Sequence, residues 1–365
     1  MPEGFNRASI GPLHTMDPGF LPAGMEGLMT DLIATEEALL DQMTTPSEEV
    51  TGAVSKLDGD ILILGVGGKM GPSLAGLLVR AGARNVIGVS RFSDPHLKTD
   101  LEQKGIFTIQ ADLLDDDVLS QLPDAPYVLF LAGFKFGATG NESTTWAMNT
   151  WLPGRVLQRY AKASVVYVSS GNVYSYTSPS TGGAAEHGAL GPIGEYAQSR
   201  LGGERIAEYI SHQQGTPLGI ARLFYATELR YGILHDIAWK IALDEPIDLN
   251  MGYVNQIWQG DANAYLTRLF PLCSSPAAVI NLTGPDVLSV RELAQLLGER
   301  MGKSPVFSGE EQESALLGDA RRLVDRFGSP EISVAQMIDW VSHWVGINGR
   351  RLGKPTKYES RSGKF

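Results

Sequence analysis

The stretch Asp60-Ile61-Leu62-Ile63-Leu64-Gly65-Val66-Gly67-Gly68-Lys69-Met70-Gly71-Pro72 decides the fold. Ile61 to Leu64 is an unbroken apolar run, as a strand covered on both faces requires. The segment Pro72 to Gly82 that follows places Leu74, Leu77, Leu78 and Ala81 on one helical face. Between strand and helix the glycines let the chain turn tightly, let the backbone approach a pyrophosphate and let the helix pack close to the strand, while the first helix amides can receive an anion. Gly65, Gly68, Lys69, Met70 and Gly71 are therefore read as a dinucleotide-binding loop rather than a merely structural turn, because the strand, loop and helix context is the one that chemistry needs.

Outward from this loop the pattern repeats. Val86 to Ser90, Phe107 to Asp112, Tyr127 to Ala132, Val165 to Ser169 and Leu218 to Leu223 read as strands, with helical stretches between most of them. Strands that alternate with helices return by crossovers, which predicts an α/β, Rossmann-type doubly wound parallel sheet over 59–228. A small α/β substrate lobe is expected over 229–347, with a helix near Leu234 to Leu243, strands Pro246 to Leu249 and Ala278 to Thr283, a helix opened by the capping box Ser289 to Glu292, and a last amphipathic helix through Met337, Ile338, Trp340 and Val341. Residues 348–365 read as a basic, glycine-rich surface strap. Residues 1–58 form an extension: a Gly-, Pro- and Met-rich arm to residue 23, then an amphipathic helix carrying Leu28, Leu32, Ile33, Leu39, Leu40 and Met43, then a short helix after Thr45-Pro46. This extension either covers an edge of the main domain or offers a partner surface.

The chain has 365 residues, 43% hydrophobic and 19% charged, and its 30 Lys and Arg against 41 Asp and Glu give a net charge of −11. That field opposes a polyanion, so nucleic acid and anionic membrane are not expected partners and a small molecule is. Cys273 is the only cysteine, which excludes an internal disulfide and fits a reducing compartment; it reads as a packing residue. The N-terminus has no basic start and apolar run of the secretory kind, and no apolar run approaches the roughly 20 residues that span a bilayer, so a cytoplasmic protein is expected. The six histidines show no ligand spacing, and no metal site is read.

The spacing Gly65-x-x-Gly68-x-x-Gly71 resembles that of the extended short-chain dehydrogenase/reductases, the NAD(P)-dependent epimerase/dehydratase family. The resemblance covers roughly residues 60 to 345 and leaves the first 58 unexplained. It implies that the end of the second strand selects the cofactor, an acidic residue favouring NAD and an arginine NADP. Ser90-Arg91 stands there, which points to NADP, with NAD second; the plainer alternative is that Arg91 is a solvated loop residue or stacks on adenine. Asp112-Leu113 looks like the pair beside the adenine, and Ala132, Gly133 and Lys135 resemble the stretch of UDP-galactose 4-epimerases that runs along the cofactor, with Lys135 a neutraliser of pyrophosphate or else a surface lysine.

The resemblance also implies a catalytic set. Val166-Tyr167-Val168-Ser169-Ser170-Gly171-Asn172-Val173-Tyr174 resembles the family's strand-end motif, in which Ser170 would hydrogen-bond the reacting oxygen. Twenty-six residues on, Tyr196 begins a helical stretch and would transfer the proton. A free tyrosine, with a pKa of about 10, needs a nearby cation to act as a base near neutrality. The family places Lys four residues after the Tyr; this chain has Arg200, which keeps the charge but not the compact ammonium. Asn149 looks like the helix asparagine that holds the active-site architecture, or is a plain helix polar residue.

Gly171-Asn172 stands where dehydratases carry Asp-Glu, which disfavours dehydration. The cation that grips a nucleotide sugar would fall at Val254, and Tyr225 replaces the usual asparagine, so a sugar, sugar acid or polyol is expected in place of a nucleotide sugar. Tyr225, Arg230, Tyr253, Trp258 and Gln259 lie in segments expected to line the substrate cleft, Arg230 either as an anion partner or in a structural ion pair. An NAD(P)-dependent oxidoreductase or epimerase acting on a carbohydrate-like hydroxyl is the leading expectation, and a homodimer through the helices of Asn149 and Tyr196 is implied by resemblance. A catalytically degenerate dinucleotide-binding sensor or scaffold is the alternative.

Overall fold

The apolar run at 61–64 is the middle of a sheet. In the computed structural model, which describes residues 32–135 and 137–364, β1 (Ile61–Leu64), β2 (Val86–Ser90), β3 (Phe107–Gln110), β4 (Tyr127–Phe130), β5 (Ser164–Ser170) and β6 (Leu218–Leu223) pair in parallel in the order 3-2-1-4-5-6. Ile61 stands opposite Val86 on one side and Tyr127 on the other. The order reverses between β1 and β4, which opens a crevice at the carboxyl ends of those strands. The chain divides into two units, Met1–Leu32 and Ile33–Phe365, and every described helix and strand belongs to the second. The expected N-terminal arm and Leu28 lie outside the described residues.

Successive residues of each strand face opposite layers. Ile61 and Ile63 pack with Leu74, Leu77 and Leu78 of the helix Gly71–Arg80, with Leu266, and with Val50 and Val54. Leu62 and Leu64 pack on the other side with Leu152, Val156 and Ala207. The N-terminal segment folds as helices Glu36–Thr44 and Glu48–Val54, capped by Thr35 and Ser47. It covers the domain: Leu39, Met43, Val50 and Val54 are buried, and Thr44 packs on Gly76. Glu36 ties it down, accepting from Arg230 at 2.9 Å and from Arg350 at 3.0 Å.

One element departs from the expected division into lobes. Strand Ala278–Leu282, assigned by its position in the chain to the C-terminal lobe, is the seventh strand of the main sheet, parallel to β6 with Ala278 opposite Gly219. The preceding helix, Gln259–Arg268, explains the difference. Gln259 and Asn263 donate to Ser73 Oγ at 3.0 and 2.9 Å, so this helix lies on the same layer as Gly71–Arg80 and serves as a crossover. The rest of the lobe is built on helices Ile233–Ala242, Val290–Met301 and Val334–Gly346 with short two-stranded pairs; Ser289 and Ser333 cap the last two helices. No helix among the described residues is long and apolar enough to cross a membrane.

Asp261, in the crossover helix, is 7% exposed and accepts from the Ile332 amide at 3.0 Å. Burial pushes its carboxyl up to about 7. An unfolded chain releases this proton near pH 4 and the folded one keeps it to about 7, so the group's contribution to stability is full at low pH and is lost as the pH rises through that interval. Asp261→Asn is therefore expected to raise the melting temperature by about 2 °C or more at pH 8, with a smaller gain at pH 5; a pH-independent shift, followed by calorimetry, contradicts this.

Candidate active site

At the end of β1 the chain enters the left-handed region at Gly65, φ +95°, and a Cβ there would lie 2.7 Å from the Ala132 amide nitrogen. A Cβ on Gly71 would run into the Val66 carbonyl. These two positions hold loop, β4 end and helix within backbone contact. The ten-residue helix Gly71–Arg80 has no side-chain cap, so its first amides remain available to an anion. Gly68 is exposed and Met70 is buried. Lys69 donates to the Ala226 carbonyl at 2.6 Å and lies 3.8 Å from the centre of the Tyr231 ring. Burial pushes its ammonium down to about 7, against the pull of Glu228. The cradle a Cβ would fill, the uncapped amides and this lysine fit the diphosphate of a dinucleotide.

Around the cradle, Ser90 is half-buried and accepts from Phe92, while the neighbouring Arg91 side chain is exposed. Asp112 caps the turn after β3 by accepting from Leu114 at 3.0 Å, and Leu113 is buried beside it. Ala132 is buried and Gly133 exposed; Lys135 follows, its ammonium 5.7 Å from the Tyr196 ring centre and 5.9 Å from that of Tyr225. Burial, and the positive charge of Lys357, push Lys135 down to about 8.

Asn149 joins these parts. It sits fully buried in a π-helical turn, Ala147–Trp151, of the kind that often marks functional sites. Its amide accepts from Phe134 N at 2.8 Å, donates to Phe134 O at 2.9 Å, and donates to Ser199 Oγ at 3.1 Å; Ser199 in turn donates to the Tyr196 carbonyl. Tyr196 and Arg200 lie one turn apart on the helix Gly194–Gln214. Arg200 is 4% exposed, donates to the Val168 carbonyl in β5 and, at 3.5 Å, to Asn149 Oδ1, and stacks 5.1 Å from the Tyr167 ring centre. Its Nε has no partner. A Cβ on Gly133 would lie 2.6 Å from its Nη1, so a larger residue there would displace this guanidinium. The structure thus brings the arginine under the site as a brace between helix and strand, and places the ammonium of Lys135 beside the Tyr196 ring.

Ser170 ends β5, its hydroxyl donating to Asn172 Oδ1 at 3.0 Å and accepting from the Asn172 amide at 3.2 Å. A bound hydroxyl or carbonyl oxygen would take the place of Asn172 Oδ1 as acceptor. Tyr225 is buried near Tyr231, Tyr176 and Tyr196, and burial holds its phenol well above its ordinary value. Tyr253 is half-buried in a short strand. Arg230 is in a structural pair: it meets the buried Glu228 at 3.1 Å and Glu36 at 2.9 Å, so its charge is already matched. Trp258 and Gln259, expected to line the cleft, are instead 1% exposed within the core. Trp258 meets Trp340 edge-on at 5.1 Å, and Gln259 reaches Ser73 and Met43, because the crossover helix they start turns inward onto the dinucleotide-loop helix. Cys273 donates to the Val165 carbonyl and burial pushes its thiol up to about 12, as suits a packing residue. Among the described residues no group of three His, Cys, Asp or Glu side chains is arranged to hold a metal.

A buried network behind Ser170 was not singled out in the sequence. Ser169 Oγ donates to Glu204 at 2.5 Å; Glu204 pairs with Arg222 at 2.7 Å; Arg222 donates to Tyr174 Oη at 2.7 Å, which donates to Asn281 at 2.8 Å. The available signal was Arg222 itself, a lone charge inside the strand run Leu218-Gly219-Ile220-Ala221-Arg222-Leu223, which demands a buried partner.

Residues 61–227 match the profile of the NAD dependent epimerase/dehydratase family. A curated relative, an uncharacterised UDP-glucose epimerase (YtcB) of Bacillus subtilis strain 168, is 28% identical over 178 residues, 45% of this chain; the chain spans about half of that relative, 55% of its length. Among solved structures, a UDP-glucuronic acid 4-epimerase from Bacillus cereus in complex with NAD superposes with a TM-score of 0.67 at 20% identity, covering 79% of this chain and 98% of the other. A UDP-glucose 4-epimerase from Thermotoga maritima with UDP-glucose gives 0.65 at 16% identity, over 79% and 99%. At these identities the structures establish the shared fold.

Removing one member of the buried pair leaves the other charged and out of water. Arg222→Leu is expected to lower stability by about 3–5 kcal/mol in denaturant unfolding; a loss under about 1 kcal/mol shows that the pair is not what holds the helix to β6.

Proposed function

We propose that the protein is an epimerase or oxidoreductase that uses a nicotinamide dinucleotide to act on a hydroxyl or keto carbon of a carbohydrate-like molecule. The observation that carries this reading is the joint placement by Asn149 and Arg200 of three segments: the loop after β4 with Lys135, the end of β5 with Ser170, and the turn that bears Tyr196. The family match over residues 61–227 supports the dinucleotide, and the similar structures, which by name hold NAD or act on UDP-sugars, support a sugar hydroxyl.

In this reading Ser170 donates a hydrogen bond to the reacting oxygen, and Tyr196 takes the hydroxyl proton as the carbon is oxidised and returns it on reduction. The dinucleotide, when bound, supplies the hydride acceptor and donor. Lys135, its ammonium 5.7 Å from the Tyr196 ring centre, would offset the negative charge that develops on the phenol, whereas Arg200 is a positioning residue whose guanidinium is engaged by Val168. The exposed Arg91 at the end of β2 favours NADP, with NAD second. Val254 and Tyr225, where the family's nucleotide-sugar contacts would fall, favour a sugar, sugar acid or polyol over a nucleotide sugar. Two copies are proposed to pair through the helices that carry Asn149 and Tyr196, which expose Trp151, Ile206 and Tyr209. Sedimentation at micromolar concentration is expected to give twice the chain mass, and Ile206→Glu to give monomers.

Tyr196→Phe is expected to leave dinucleotide affinity unchanged and to cut turnover by about 100-fold or more. Normal turnover in that variant overturns the assignment. Nucleotide released on denaturation, with titration of the remaining apoprotein by NADP and NAD, reads both the cofactor and the reaction: stoichiometric retention marks an epimerase, free exchange a dehydrogenase. The burial of Arg200 favours one second reading, a dinucleotide-binding sensor, and activity that appears only in Arg200→Lys selects it.

A further inference from the structure

A groove of about 590 Å³ opens at the amino ends of the strands, where Tyr127 begins β4 and Leu57 precedes β1. The dinucleotide loop and Ser170 stand at the carboxyl ends, on the opposite edge of the sheet. The wall of the groove is apolar and largely aromatic, formed by Leu57, Tyr127, Phe270 and Phe327. Tyr127 meets Phe270 edge-on, with ring centres 5.1 Å apart.

Three cations, Lys56, Arg268 and Arg326, line this groove with one carboxylate, Glu49. In a chain of net charge −11 that local excess reverses the sign of the whole. Arg268 is fixed in place: it donates to the Phe327 carbonyl at 3.0 Å, and its guanidinium lies 5.0 Å from the Phe327 ring centre. Lys56 and Arg326 are exposed, and among the described residues neither side chain has a hydrogen bond or an ion pair. Glu49 serves the first turn of its own helix, where backbone and the Ser47 hydroxyl, and more weakly Arg268, hold its carboxyl below the ordinary value.

Gly52 is a second, independent observation. It lies inside the helix Glu48–Val54, where glycine is the least favoured residue after proline. Its backbone is not left-handed, and a Cβ there would meet nothing within 4 Å, so neither conformation nor packing requires a glycine. The residue lines the groove, so the space a side chain would take is the groove's own. Cavities of this size, walled by apolar and aromatic groups with a few placed polar ones, suit small ligands. The rings offer flat faces, and the guanidinium and ammonium groups select an acid.

We propose that this groove is a second ligand site, which takes a small aromatic acid: its ring lies against Tyr127 and Phe327, and its carboxylate or phosphate sits among Lys56, Arg268 and Arg326. The site is separate from the reaction proposed above and does not depend on it.

The test is a fluorescence titration of the full chain with anilinonaphthalene sulfonate, run with and without NADP or NAD. A saturable signal is expected that the dinucleotide leaves in place and that naphthyl phosphate or naphthaleneacetate displaces. Which of the two acids does so distinguishes a phosphate from a carboxylate ligand. Neutral phenylnaphthylamine is expected to bind more weakly than the sulfonate. Lys56→Gln and Arg326→Gln are each expected to weaken the sulfonate by about two- to five-fold, and Gly52→Phe to abolish its binding by filling the groove, with the melting temperature lowered in none of the three. Absence of a saturable signal, displacement by the dinucleotide, displacement by neither acid, equal affinity for the neutral dye, or undiminished binding in the three variants overturns the site.

Discussion

Glu204 and Arg222 are opposite charges with almost no access to water, 0% and 2% exposed, and the placement of the candidate site depends on them. Taking two such ions out of water costs several kcal/mol each, and only good geometry with every remaining hydrogen-bonding group satisfied offsets it. The structure meets that condition by extending the pair outward: Ser169 and Tyr174 complete the carboxylate and guanidinium, and Asn281 completes Tyr174. The result ties the helix Gly194–Gln214 to β5, β6 and the seventh strand at once. Ser169 is the neighbour of Ser170, and Glu204 lies two turns beyond Tyr196, so the two candidate catalytic groups are positioned by one polar cluster rather than by apolar packing that could slide.

A departure from the pattern that the resemblance implies concerns where positive charge goes. An arginine at position 200 is too long to stop where a lysine would, and it continues beneath Gly133 to the Val168 carbonyl. It therefore braces the helix against the sheet, a use that suits a planar fork with fixed donors. The flexible ammonium of Lys135 takes the place beside the Tyr196 ring. One residue type supplies rigidity and the other supplies adaptable charge.

How much of this was legible in the sequence follows from what kind of signal each feature leaves. The sheet was readable because Ile61 to Leu64 and the runs that follow are buried on both faces and cannot be anything but strands between helices. The dinucleotide loop was readable because backbone crowding at Gly65 and Gly71 admits no other residue. Ser170, Tyr196 and Asn149 carried a spacing signal; Asn149 reaches the Tyr196 carbonyl through Ser199, while the Ser170 hydroxyl bonds Asn172. Trp258 and Gln259 were misplaced because chain position says which loop a residue belongs to and not which way the following helix turns. Ala278 to Leu282 was misassigned for the same reason: its strand character is local, its sheet is a matter of the crossover. The Glu204–Arg222 pair joins residues eighteen apart on different elements, and no local pattern links them.

Glu36 accepts from Arg230, 194 residues away, and from Arg350, 314 residues away. A chain made from its N-terminus can dock the helix Glu36–Thr44 on Gly71–Arg80 early, but cannot close the ion pairs of Glu36 until Arg230 and then Arg350 have emerged. Native contacts of such sequence separation close late, since loop entropy is spent before they form. The clasp that joins the first described helix to Arg350 is thus expected to be among the last contacts to form.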